Sequence, residues 1–81
     1  MRLLMPRYFF HLSRRGRIIL DPEGTELADI AHARREARLN ARDMLIRILK
    51  TDEPVPLDDN VHVADEHGSV LHTITLREAL G

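Results

Sequence analysis

Residues 7–12, RYFFHL, alternate with the period of a strand: Tyr8, Phe10 and Leu12 share one face, Phe9 and His11 the other. SRRG and then RIIL follow. A type I turn over Ser13–Gly16, with Gly16 left-handed, predicts a three-residue hairpin loop with a bulge. That register pairs Leu12 with Ile18 and Phe10 with Leu20, making one apolar face together with Tyr8. DPEGTELAD, residues 21–29, turns the chain at Pro22 and Gly24 and offers Asp29 as a helix N-cap. Ile30, Ala33, Ala37, Ala41, Met44, Leu45 and Ile48 recur at helical spacing and predict a helix from about Ile30 to Lys50. Alanine dominates the first half of that stripe, which lets the helix lie close on a sheet. TDEPVPLDDN is an acidic connection, and VHVADEHGSVLHTITL repeats the hairpin chemistry with Asp65–Gly68 as its turn. The same bulged register pairs Val63 with Leu71, Val61 with Thr73 and His62 with His72. REALG predicts a last helical turn.

The element order is β-β-α-β-β. A right-handed crossover from the second strand lays the third beside the first, antiparallel to it. The expected fold is α+β: a four-stranded antiparallel sheet in the order 2-1-3-4 with one long helix on one face. Residues 1–4 read as an N-terminal extension and residues 5–81 as a single small domain.

Composition narrows the possibilities. At 81 residues the core is small, so apolar surface left bare favours a second copy of the chain as its cover. With no cysteine, disulfides, thiolate metal sites and thiol nucleophiles are excluded. No run approaches the roughly 18 apolar residues of a membrane span. MRLLMPRYFF lacks the form of a signal peptide, being broken by Pro6 and Arg7, so a cytoplasmic location is expected. The net charge of −1 hides blocks: residues 1–20 hold five arginines and no acid, whereas residues 51–81 hold seven acids and one arginine. Alternating blocks suit intramolecular or intersubunit complementarity better than dedicated nucleic-acid binding, which calls for a basic domain.

MPRYFFHL, DPEGTELADI with the helix ARREARLNARDML, and VADEHGSVLHTITLREAL together resemble a family of short bacterial proteins, abundant in rhizobia and their relatives, labelled a domain of unknown function. The resemblance spans residues 5–80 and implies a cytoplasmic bacterial protein, with no activity and no catalytic residues to carry over. DPEGTELADIAHARREARLNARDML also resembles the hairpin-to-helix junction of the partial RNase H-like fold in HicB-type antitoxins. It departs from that pattern within these 81 residues by lacking the added DNA-binding helix-turn-helix or ribbon.

The candidate chemistry is sparse. His11, His62 and His72 are expected on the sheet face away from the helix, where three imidazoles would suit zinc, copper or nickel, although no metal-binding spacing is present. Half-exposed strand positions tolerate histidine, and that is the favoured reading. Arg34, Arg35, Arg38 and Arg42 crowd one side of the helix and are the residues a nucleic acid would use. Glu36 and Asp43 interrupt them, which favours a solvated face. The paired carboxylates Asp52/Glu53, Asp58/Asp59 and Asp65/Glu66 fall in loops, and no glycine belongs to a phosphate loop, so neither catalytic residues nor a cofactor is expected. Phe9, Ile19, Val70 and Ile74 are expected to form an apolar patch on the sheet's bare face. The resulting expectation is a non-enzymatic interaction or regulatory module, homodimeric through that face or an edge strand. The alternative is a small nucleic-acid-binding or antitoxin-type protein acting through the helix arginines.

Overall fold

The structure, a computed structural model, describes residues 4–81. The elements are β1 (Arg7–Arg14), β2 (Arg17–Ile19), β3 (Thr25–Glu26), α1 (Ile30–Leu49), β4 (Asn60–Ala64), β5 (Val70–Thr75) and α2 (Leu76–Leu80). The fold is α+β with an antiparallel sheet in the order β2-β1-β4-β5, to which the two-residue β3 adds a fifth strand along β1. The four expected strands keep their expected neighbours. The short β3 was not expected. Leu4 is fully open to solvent, and the rest of the expected extension, residues 1–3, lies outside the described residues.

The helix follows its apolar period. Asp29 caps it, its Oδ1 accepting from His32 N at 2.9 Å. Ala33, Ala37, Ala41, Met44, Leu45 and Ile48 are buried. The alanines allow close approach, and α1 packs over β4 and β5. Its partners in the core are Tyr8, Val61, Val63, Ile74, Leu76 and Ala79. The last two come from α2, which a capping box between Thr75 and Glu78 starts immediately after β5.

Both hairpins depart from the expected registers, for different reasons. In the first, Leu12 pairs with Ile19, Ser13 with Ile18 and Arg14 with Arg17. The loop is therefore the two residues Arg15 and Gly16, with φ of 51° and 77°, the signs of a type I′ turn. A left-handed arginine is costly by itself. Tertiary contacts offset that cost: Arg15 N donates to Asp59 Oδ1 at 3.2 Å, and the Arg15 guanidinium reaches Glu53 at 3.0 Å. The expected Phe10–Leu20 pair does not form, because β2 ends at Ile19 and Leu20 is exposed.

In the second hairpin the turn chemistry is as expected. Gly68 N donates to Asp65 O, and Gly68 is left-handed with φ 84°. The expected register survives at Ala64–Val70, and then a bulge at Val63/Ala64 shifts it by one. Beyond the bulge Val63 pairs with His72, His62 with Thr73 and Val61 with Ile74. The shift exchanges Thr73 for Ile74 on the helix side. Burying an isoleucine is favourable by about 1.5–3 kcal/mol, which is reason enough for the bulge.

Candidate interaction surfaces

The sheet face away from the helix carries Phe9, His11, Ser13 and Ile18 from β1 and β2, and His62 and Thr73 from β4 and β5. Of the four residues expected to make an apolar patch there, Phe9 and Val70 keep their expected face, and Phe9 is half-buried. Ile74 is corrected to the core, 4% exposed, by the bulge. Ile19 is corrected to the helix side, because it pairs with Leu12. Val70, 58% exposed, stands at the bulge on the edge strand β5, in one cross-strand row with Phe9 and the buried Ala64 between them. The expected patch is therefore reduced to Phe9 and Val70, and Ile18 takes the place of Ile19 on that face.

The turn after β2 folds over Phe9. Asp21 organises it. Its Oδ2 accepts from Phe10 N at 3.1 Å, and its Oδ1 from Glu23 N and Gly24 N at 3.2 and 3.1 Å. Asp21 N in turn donates to His11 Nδ1 at 3.0 Å. Burial pushes the Asp21 carboxyl up, but the backbone donors of Phe10, Gly24 and Glu23, with His11 beside them, outweigh it and hold the group below its ordinary value. Gly24, at φ 70°, passes so close to β1 that a Cβ there would lie 2.9 Å from the Phe9 ring, from Arg7 Cγ and from the Tyr8 carbonyl oxygen. The Phe9 and His11 rings stack with centroids 6.2 Å apart. Pro22 and Gly24 mark a turn in the sequence, but the clasp itself goes beyond that expectation. An aspartate two and three residues before the amides it accepts from is the signal that points to it.

The histidines do not converge. His11 and His62 are direct cross-strand partners on the expected face, but His72 pairs with Val63 on the opposite face. That is a correction to the expected trio. His62 Nδ1 lies 2.9 Å from Thr73 Oγ1 and His11 Nδ1 accepts from Asp21 N, so each ring has a local partner. Among the described residues no group of three or more His, Asp or Glu side chains is arranged as metal ligands.

The helix arginines divide into two pairs. Arg34 and Arg35 are exposed. Arg42 Nε donates to the Ala79 carbonyl oxygen at 3.2 Å, and Arg38 donates to that of Gly81. These two close the C-terminal end of α2 against α1, where free carbonyl groups attract cations. A charge run that reads as one stripe in sequence is therefore half structural.

Two of the apolar, open surfaces bear on function. One is the β2 edge of the sheet: β2 pairs with β1 alone, and Ile18, Ile19 and Leu20 are 64%, 53% and 67% exposed in succession. The other is a groove of about 400 Å³ between α1 and β1, with Phe10, Leu12, Met44, Ile48 and Val61 in its apolar lining. It exists because α1 lies over β4 and β5 and leaves the helix side of β1 and β2 half covered.

An antiparallel sheet covered on one side by a capped, alanine-striped helix defines a small α+β domain. The profile of one family, described as Domain of unknown function (DUF6894), matches residues 7–77, and the chain belongs to that family. No curated protein and no solved structure matches the chain. Among the described residues, no helix is long and apolar enough to cross a membrane.

Proposed function

We propose that this protein is a non-enzymatic interaction module of the bacterial cytoplasm that forms a homodimer by pairing β2 with β2 of a second copy. The observation that carries this reading is the β2 edge with three consecutive exposed apolar residues, Ile18 and Ile19 in the strand and Leu20 just after it. A free ladder of backbone N–H and C=O groups with greasy flanks is a template for another strand. A second copy supplies the same strand, so a two-fold antiparallel pairing is self-complementary. The non-enzymatic reading draws support from the carboxylates, since those of Asp21, Asp29 and Asp65 accept from turn and cap amides.

A ladder this short buries less than the roughly 1,200 Å² of stable dimers, so association is concentration-dependent. Light scattering after size exclusion, run from low to tens of micromolar chain, is expected to show the mass rising toward twice that of one chain. Ile18→Lys is expected to hold the mass at one chain while leaving the circular dichroism spectrum intact. A wild-type chain that stays monomeric throughout the range refutes the reading. Retention on DNA or RNA that weakens with salt, lost in an Arg34→Ala/Arg35→Ala double variant, would instead support the nucleic-acid alternative.

A further inference from the structure

The groove beside α1 is lined by more than apolar side chains. Arg14 and Arg47 stand in its wall with Asn40, Thr51 and Glu53. Its volume, about 400 Å³, falls in the range of small-molecule sites. Glu53 is the single acid of the lining, and it is shared: Arg14 approaches it at 3.5 Å and Arg15 at 3.0 Å. Arg47, exposed in the last turn of α1, has no acidic partner among the described residues. The wall is therefore net cationic over an apolar floor.

We infer that this groove binds a small amphipathic anion, a carboxylate with an aliphatic tail. The tail lies along Phe10, Leu12, Met44, Ile48 and Val61, and the carboxylate meets the Arg47 guanidinium with Arg14 nearby. Phe10 and Leu12 point to the helix side yet stay half-buried, so a tail covers apolar area that the fold leaves wet. The guanidinium fork matches a carboxylate in shape and charge. A neutral ligand would leave Arg47 unpaired, and a cation would be repelled by it. The groove lies inward of the β2 edge, so this inference is independent of the dimer.

The test is a titration of the full chain with decanoate below its micellar concentration, followed through the methyl signals of Met44 in the groove and Met5 outside it. The expected result is a saturable one-to-one shift of Met44 with Met5 unmoved. Arg47→Gln, a surface change that leaves the fold intact, is expected to weaken binding about tenfold. Decanol is expected to bind about tenfold more weakly than decanoate to the wild type and equally to Arg47→Gln. Repeating the titration on Ile18→Lys separates this site from the dimer contact. The inference is overturned if Met44 does not respond, if decanol binds as tightly as decanoate, or if Met44 shifts with protein concentration alone, which would give the groove to a second copy.

Discussion

Replacing Asp21 with alanine is expected to remove the clasp over β1 while leaving the core residues in place. Three backbone N–H groups lose their acceptor, those of Phe10, Glu23 and Gly24. Glu23 is exposed and water replaces the carboxylate there at little cost. Phe10 N is partly buried beneath the turn, and an unsatisfied donor in that position costs about 1–3 kcal/mol. Together with the looser Gly24 turn, the expected loss is about 2–3 kcal/mol. For a domain of this size, that lowers Tm by roughly 10–20 °C. Urea unfolding followed by circular dichroism measures the change directly. Asp21→Asn keeps one acceptor oxygen and is expected to lose about half as much.

The pH dependence supplies a second reading of the same variant. The folded carboxyl of Asp21 titrates below its ordinary value of 3.8, so its contribution is present above that value and disappears as pH falls through the folded pKa. The stability gap between wild type and Asp21→Ala is therefore expected to be full near neutral pH and to narrow in strong acid. A gap under about 0.5 kcal/mol at neutral pH, the size of an ordinary surface change, refutes the account of Asp21 as the organiser of this turn.

The bulge in the second hairpin predicts opposite sensitivities at adjacent positions: Ile74→Ala is expected to cost about 2–5 kcal/mol and Thr73→Val to stay within about 0.5 kcal/mol, both read from urea midpoints. Gly24→Ala combines a disfavoured φ with contacts at 2.9 Å to Phe9, Arg7 and Tyr8, and a drop in Tm larger than that of Gly68→Ala, whose site is open, is expected by thermal denaturation. Arg42→Ala is expected to loosen α2, seen as faster amide hydrogen exchange over residues 76–81, while Arg35→Ala leaves exchange there unchanged.

The period-two and helical patterns, taken alone, determined the inward face of β1, the buried alanine stripe, the Asp29 cap and every element except the short β3. These follow from local alternation and capping chemistry, which short stretches of chain specify. Strand order followed too, since a right-handed crossover leaves the third long strand beside the first. What the sequence alone did not decide was register. The type I′ turn at Arg15 depends on Asp59 and Glu53, more than thirty residues away, and the bulge after Val70 depends on the helix that rewards burying Ile74. Each one-residue shift reversed the face of every position on β2 or on β5 beyond its bulge, so Ile19, His72 and Ile74 left the positions that local pattern assigned to them. The groove belongs to the same class of fact. It arises from where α1 comes to rest across the sheet, a packing outcome that no alternation of side chains encodes.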